Sequence, residues 1–146
     1  MKELLELRLA TLQDAECLLL WRNDVGTRKF SINKMKITEH QHMEWLHQSL
    51  SNPQRKLYIV ECQKQPVGTV RVDTKKDYHY ISWTVAPDHR GKGIAKNMVK
   101  LLVNKLKGRV VAEILPLNTA SIKVAEYAGL TFKRLYKGKV YYELIH

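Results

Sequence analysis

The sequence predicts a mixed α/β (α+β) domain whose elements follow the order βααβββαβαββ. Apolar residues alternate with polar ones in several short segments, which is typical of half-buried strands. In other segments they recur every three or four positions, which is typical of helices packed on a sheet. With 146 residues, 45% of them hydrophobic, the chain can form one sizeable core. We expect a single domain over residues 1–146, because no segment resembles a linker, repeat or low-complexity tract.

Turn and capping residues divide the N-terminal half into one strand, two helices and three further strands. Residues 4–10 alternate apolar and polar, which predicts a half-buried strand. Thr11 with Asp14 and Thr38 with Gln41 each form a capping pair, so a helix is expected after each of them. The strand-like runs that follow, expected to form an antiparallel meander, are residues 57–62, 67–73 and 80–85.

The C-terminal half adds a helix, a strand, a second helix and a hairpin. Ile94, Met98, Leu102 and Leu106 recur every four residues, so the helix that they form should bury a wide apolar stripe against the sheet. The apolar, β-branched run 109–115 predicts a strand. The remaining elements are a helix over 118–128 that closes at Gly129, and strands over 131–136 and 139–145 that turn at Gly138.

The composition favours a small anionic ligand over nucleic acid. The formal net charge is +11, from 25 Lys and Arg against 14 Asp and Glu, and such a charge steers anions towards the protein. The basic residues are spread along the chain, without the dense basic run or aromatic series of a dedicated nucleic-acid binder. We therefore expect a phosphorylated small molecule as the partner, and no nucleic acid.

The sequence predicts neither a metal site nor a membrane segment. Cys17 and Cys62 are too few and too irregularly placed for a disulfide framework or a zinc site. No apolar run approaches the roughly 18–20 residues that cross a bilayer, and the first residues alternate with charges rather than forming a signal-peptide core. A cytoplasmic protein without membrane contact is therefore expected.

Residues 85–95, VAPDHRGKGIA, form the most informative segment of the chain. A predicted strand leads into a glycine-rich loop, and a predicted helix follows at once. The glycines allow a ligand close to the backbone N–H groups, while the helix N-terminus and two basic side chains favour an anion. The loop matches neither Gly-x-x-x-x-Gly-Lys-Ser/Thr nor Gly-x-Gly-x-x-Gly. We expect it to hold a diphosphate through Arg90, Gly91, Lys92, Gly93, Ile94 and Ala95.

The loop also fits the pattern Arg/Gln-x-x-Gly-x-Gly/Ala through Arg90, Gly93 and Ala95. In this it resembles the acetyl-CoA pyrophosphate loop of the GCN5-related N-acetyltransferase (GNAT) superfamily. The later segment from Asn118 to Leu130 is similar to the superfamily pattern Asn-x-x-Ser/Ala, seven residues, Gly-Phe, with Leu130 in place of Phe. The resemblance extends over essentially the whole chain. It implies a mostly antiparallel central sheet of about seven strands with four helices, acetyl-CoA as co-substrate and no metal.

The resemblance also implies where acetyl-CoA is bound. In this fold two neighbouring central strands splay apart and the pantetheine arm lies between them; here they would be residues 80–85 and 109–115. Backbone N–H groups near Thr84 and Val85 would hold the thioester carbonyl. Asn118 and Ser121, one helical turn apart, would contact the pantetheine arm or an adenosine phosphate, and Asn118 is equally well placed to cap its helix.

Glu113 is the expected general base. It interrupts an apolar strand five residues before Asn118, and a superfamily subset that acts on protein N-termini carries glutamate at the corresponding place. Such a carboxylate either faces the cleft or forms a structural ion pair. Asp73, His79 and water relays are the alternatives for this role.

The general acid is harder to assign. The superfamily often uses a tyrosine seven residues after the helix asparagine, but Ala125 occupies that position here. Tyr127 should point to the other side of its helix, so Tyr141, Tyr142 or water would have to replace the missing acid. The missing tyrosine also leaves open a non-catalytic module that binds acyl-CoA as a sensor.

The N-terminal third should bind the amine acceptor. Its segments Trp21-Arg22-Asn23 and Glu39-His40 with Trp45 resemble features of GNAT enzymes that acetylate the 4-amino group of nucleotide-linked deoxyamino sugars, as in pseudaminic acid biosynthesis. An N-acetyltransferase acting on a nucleotide sugar is therefore expected, as a monomer or homodimer. The alternatives are a protein N-terminal acetyltransferase of the ribosomal type and an enzyme for polyamine or antibiotic acceptors, although a strongly positive protein is a poor host for a polycation. The expected acceptor contacts are Trp21, Arg22, Asn23, Arg28 and His40.

Overall fold

A seven-stranded sheet forms the centre of the computed structural model, which describes residues 4–146. The strands lie in the order β1-β2-β3-β4-β5-β7-β6, and each neighbouring pair is antiparallel except β4 and β5, which are parallel. This confirms the mixed, mostly antiparallel sheet expected from the sequence. The strands are β1 (Leu5–Leu9), β2 (Arg55–Cys62), β3 (Gln65–Thr74), β4 (His79–Val85), β5 (Arg109–Ile114), β6 (Thr131–Tyr136) and β7 (Lys139–Ile145).

Helices cover both faces of the sheet. The described residues contain five α-helices, namely α1 (Ala15–Asn23), α2 (Val25–Lys29), α3 (Glu39–Ser51), α4 (Ile94–Asn104) and α5 (Thr119–Tyr127). The expected number of four is wrong because α2 was missed. That helix has only five residues, one of them Gly26, and is too short to show an apolar period. It begins because the Asp24 carboxylate accepts a hydrogen bond from the Thr27 backbone N–H at 3.0 Å.

Both predicted capping pairs are present. Thr38 and Gln41 bond each other reciprocally at the start of α3, with N···O distances of 2.9 and 3.1 Å. Thr11 and Asp14 do the same, although the box opens a short 3₁₀ turn over Leu12–Asp14 before α1 begins. Asp14 also forms an ion pair with Arg8 at 2.8 Å, and this pair ties the start of α1 to β1.

Two apolar clusters hold these layers together. The larger one lies between the sheet and α4, whose predicted stripe includes the fully buried Met98 and Leu102. The smaller one lies on the opposite face, where Trp21 of α1 and Leu46 of α3 pack over Ile59 of β2. The sheet is therefore anchored on both faces, and a gap between two of its strands can persist without collapse.

The parallel pair β4 and β5 provides that gap. The two strands pair at three positions, His79 with Val110, Tyr80 with Val111 and Ile81 with Ala112. The remainder of β4 stays paired with β3, while β5 continues along β7 to Ile114. The strands therefore diverge after Ile81, and the splay that the resemblance implies is confirmed.

Leu102→Ala should destabilise the protein by about 2–5 kcal/mol, because it removes a buried side chain and leaves a cavity between α4 and the sheet. Leu101→Ala on the same helix is the matched control, since Leu101 is 36% exposed and Leu102 only 1%. Denaturant unfolding followed by circular dichroism measures both. Equal losses of unfolding free energy in the two variants would contradict the assigned packing of α4.

Candidate active site

A cavity of about 1120 Å³ opens at the splay. Its walls come from both faces of the sheet: the diverging parts of β4 and β5, the glycine-rich loop, the start of α5, and side chains of α1 and α3. This single cavity is thus lined by residues from both the predicted donor segments and the predicted acceptor segments. The predicted donor residues that line it are Thr84, Val85, Arg90, Gly91, Gly93, Ile94, Ala95, Asn118 and Ser121.

The glycine-rich loop has the backbone that the sequence predicts. Gly91 and Gly93 lie at φ values of 78° and 74°, in the left-handed region that favours glycine. Gly93 is also the residue from which α4 starts, so the N-terminus of a helix with eleven residues faces the cavity beside the loop. Lys92 does not line the cavity, so its predicted contact with the anion has no support from this geometry.

Arg90 is already engaged with the acceptor side of the protein. Its Nη2 lies 2.6 Å from the Asp24 carboxylate and donates to the Thr27 hydroxyl at 2.7 Å. The hydrogen bond from Arg90 lowers the pKa of Asp24. A bound diphosphate would therefore share or exchange this arginine with the N-terminus of α2. No local sequence pattern indicates this pair, since the two residues are 66 positions apart.

Asn118 caps α5, as the alternative interpretation of its role expected. Its side-chain oxygen accepts a hydrogen bond from the Ser121 backbone N–H at 3.2 Å. Both residues line the cavity, and their contact with the pantetheine arm or an adenosine phosphate stays a prediction.

Glu113 faces the cavity and accepts three hydrogen bonds. The donors are the hydroxyls of Tyr80 at 3.0 Å and Tyr141 at 3.2 Å, and Nζ of Lys139 at 3.0 Å. Burial opposes ionisation of this carboxyl, but the ammonium of Lys139 and the two hydroxyls outweigh it, and the pKa of Glu113 is lowered. The sequence left two possibilities for Glu113, a place in the cleft or a structural ion pair. Both apply, because the carboxylate lies in the cleft and is also paired with Lys139.

The cross-strand register explains this cluster. Glu113 lies opposite Tyr141 on β7, and Tyr80 lies opposite Val111, two residues before Glu113 on the same face of β5. Tyr80 is the one tyrosine of residues 4–146 that lines the cavity, and sequence reasoning missed it. Its pKa is raised by burial and by the adjacent carboxylate.

Tyr127, Tyr141 and Tyr142, the other tyrosines considered for the acid, do not line the cavity, although Tyr141 donates to Glu113. Ala125 is fully buried, and Tyr127 lies under Lys96 and Lys100 on the outside of α5. Tyr142 is buried against Phe132 and does not line the cavity.

The two rival bases are also occupied. Asp73 is paired with Arg55 and Arg71, and the ring of His79 bonds the Thr74 hydroxyl and the Lys107 carbonyl, each at 3.0 Å. Neither lines the cavity, so Glu113 is the better-placed carboxylate.

On the acceptor side, Trp21 and Arg22 line the cavity, whereas three other predicted contacts do not. Asn23 is committed to the backbone of Ile37, bonding its carbonyl at 2.8 Å and its N–H at 2.9 Å. Arg28 donates to the Asn23 carbonyl at 3.1 Å. The side chain of His40 is 84% exposed and pairs with Glu44. These three residues hold or flank the wall of the site rather than face its interior.

His42, and not the predicted His40, is the histidine of α3 that lines the cavity. It is 2% exposed, lines the cavity and stacks on Trp45 with ring centroids 5.6 Å apart. Burial lowers its pKa, and the nearby charge of Arg22 adds to this, so the ring is neutral at pH 7. Helical spacing could have found it, because His42 precedes the buried Leu46 by one turn.

A model of the acetyltransferase (GNAT) domain family matches residues 5–131. The chain belongs to this family. Membership confirms the acyltransferase class expected from the sequence.

Solved structures share the fold. A domain from Methanocaldococcus jannaschii is 26% identical, with a TM-score of 0.86 over 98% of this chain and 99% of that one. The aminoglycoside acetyltransferase AAC(6')-Ib in complex with coenzyme A is 20% identical, with a TM-score of 0.86 over 97% and 95%. RimL, a ribosomal L7/L12 α-N-protein acetyltransferase with coenzyme A, is 18% identical, with a TM-score of 0.82 over 97% and 93%. No curated protein sequence matches the chain.

Residues 4–146 contain neither a membrane-spanning helix nor a cluster of metal-ligating side chains. No helix there has the length and apolar character to span a bilayer. No group of three or more His, Cys, Asp or Glu side chains there is arranged to hold a metal ion.

Arg90→Glu should weaken coenzyme A binding by about tenfold or more, because it places a carboxylate where a charge-assisted hydrogen bond to phosphate is expected. Lys92→Glu makes the same change of charge in the same loop at a side chain outside the cavity, and should cost much less. Isothermal titration calorimetry with coenzyme A compares the affinities of the two variants. Equal losses would mean that overall charge, and not contact at Arg90, governs donor affinity.

Proposed function

We propose that the protein transfers the acetyl group of acetyl-CoA to a primary amine by direct attack within a ternary complex. The observation that carries this proposal is the placement of Glu113 in the same cavity as the glycine-rich loop. The loop suits a diphosphate, and the two strands that diverge after Ile81 leave room for a pantetheine arm. The coenzyme A complexes among the solved neighbours support acetyl-CoA as the donor.

In the proposed reaction, the amine nitrogen bonds to the acetyl carbon while the carbon–sulfur bond breaks. Glu113 takes a proton from the amine, directly or through water, because its lowered pKa keeps it ionised. Backbone N–H groups at Thr84 and Val85 stabilise the developing oxyanion. Ala125 leaves the usual acid position without a proton donor, so we assign protonation of the departing thiolate to water.

For the acceptor we propose a nucleotide-linked 4-amino-deoxy sugar of the pseudaminic-pathway type. The motif segment with Trp21 and Arg22 supports this, since both side chains line the cavity, as does Trp45. A guanidinium suits a sugar-linked phosphate, and an indole ring suits the face of a sugar or base. We restrict the acceptor contacts to Trp21 and Arg22, because the other predicted residues do not line the cavity.

The remaining expectations belong to the same proposal. We infer one catalytic domain over residues 1–146 that acts in the cytoplasm, as a monomer or homodimer, on a small molecule rather than on nucleic acid or a membrane. The alternative acceptor is a protein N-terminus, and the alternative of another class is an acyl-CoA sensor. A single assay separates the three.

The deciding assay follows thiol release from acetyl-CoA with a UDP-4-amino-4,6-dideoxy sugar, N-terminal peptides, spermidine, kanamycin and no acceptor. We expect release with the amino sugar and a fall of about 10²-fold or more in kcat for Glu113→Gln, typical of a lost general base. Coenzyme A affinity should be unchanged in that variant. Release with peptides alone would transfer the proposal to protein N-termini, and coenzyme A binding with no release would favour the sensor.

Lys139→Met should move the acidic limb of the kcat/KM profile to higher pH. The ammonium at 3.0 Å helps to hold the pKa of Glu113 below its ordinary value, so its removal raises that pKa and the base is lost earlier as the pH falls. Lys137→Met, in the adjacent turn and stacked on Tyr136, is the control. An unshifted limb in Lys139→Met would show that Glu113 is not the titrating base.

A further inference from the structure

Two guanidinium groups in the cavity have buried nitrogens without hydrogen-bond partners among the described residues. They belong to Arg22 of α1, at Nη1, and Arg71 of β3, at Nε. Arg22 donates through Nη2 to the Asn33 carbonyl at 3.0 Å, which leaves Nη1 unused. Nε of Arg71 lies 3.3 Å from Oδ2 of Asp73 without forming a hydrogen bond. Both side chains line the cavity.

Neither positive charge is fully compensated. Asp73 binds Arg55 through two hydrogen bonds of 2.6 and 3.2 Å, so its single negative charge is shared between Arg55 and Arg71. For Arg22 the structure gives no carboxylate partner within the described residues, and the nearby charge is that of Arg28, which has the same sign. Burial lowers the pKa of both cavity guanidiniums, yet an arginine keeps its charge at pH 7.

The two arginines lie on the side of the cavity that α3 covers. Next to Arg22 is His42, which stacks on Trp45, and the guanidinium of Arg55 lies 6.0 Å from the Trp45 ring. Arg55 in turn shares Asp73 with Arg71. These neighbouring side chains place Arg22 and Arg71 in the acceptor half of the cavity, apart from the glycine-rich loop.

The cavity supplies nothing to neutralise them. Within residues 4–146 its one carboxylate is Glu113, which is already engaged with Lys139, Tyr80 and Tyr141. A partly buried charge that is not fully compensated is unfavourable, and a buried donor nitrogen without an acceptor adds to that cost. A ligand that brings anionic oxygens would relieve both.

We infer that Arg22 and Arg71 bind an anionic group of the acceptor, a phosphate or a carboxylate, in the α3-covered half of the cavity. The inference rests on the proposed function in taking this half as the acceptor site, and goes beyond it by assigning Arg71 and by requiring a negative acceptor. A polycation such as an aminoglycoside would set its ammonium groups against two guanidiniums. Similarity of fold to AAC(6')-Ib therefore does not extend to its class of acceptor.

The test measures anion binding to protein saturated with coenzyme A, so that the glycine-rich loop is already occupied. UDP, inorganic phosphate and succinate are titrated into the wild-type protein and into Arg22→Met and Arg71→Met. Each substitution should raise Kd by about tenfold or more, because each removes charge-assisted hydrogen bonds. Arg134→Met, at an exposed arginine of β6, is the control and should leave Kd unchanged.

Coenzyme A affinity reports whether each variant is folded, and Arg71→Lys, which keeps the charge, stands in if Arg71→Met does not fold. The lysine variant should bind the anion with intermediate affinity. Tighter binding of UDP and phosphate than of succinate would assign a phosphate group, and the reverse a carboxylate.

Absence of binding by all three anions, or binding unaffected by both arginine substitutions, would overturn the inference. In that event, acetylation of an acceptor that carries no negative group would still leave the proposed acetyl transfer intact. Conversely, arginine-dependent anion binding without acetyl transfer to any amine would uphold the anion site and remove the proposed function.

Discussion

The β4–β5 ladder ends early, and the cavity opens where the two strands part. Three residue pairs join these strands, whereas β4 has seven pairs with β3 and β5 has six with β7. Each strand is therefore held by its other neighbour while it separates from this one. The two apolar clusters, on opposite faces, fix the strands where they part. Backbone groups freed from the ladder then face a cavity instead of each other and need partners from a ligand or water.

This opening also unites two surfaces that the sheet would otherwise separate. The glycine-rich loop and α5 belong to the side where α4 packs, while His42, Arg22 and Trp21 belong to the side of α1 and α3. A sheet paired throughout would divide them. Glu113, on a strand that borders the gap, is the one carboxylate of residues 4–146 that lines this shared cavity.

Sequence reasoning recovered what depends on neighbours along the chain. Reciprocal caps such as Thr38 with Gln41, the stripe of α4 and the glycine conformations in the loop all follow from local rules. What it missed depends on pairing between distant strands and helices. Tyr80 joins Glu113 only through the register of β4 on β5, and Asn23 is diverted from the site by its bonds to Ile37. The motif match predicts that this segment of α3 reaches the acceptor, but it does not distinguish His40, which is exposed, from His42, which lines the cavity.

The ion pair between Arg90 and Asp24 bears on how strongly a donor diphosphate would bind to the glycine-rich loop. Since that guanidinium is already matched with a carboxylate, a diphosphate at the proposed donor site would have to share or replace an ion pair, and the net attraction would be the difference between the two. A displaced Asp24 carboxylate would still cap α2 through the Thr27 N–H, so the helix would keep its start but lose this contact with the glycine-rich loop. Occupancy of the proposed donor loop would thereby release a restraint on α2, whose Gly26 and Thr27 line the same cavity.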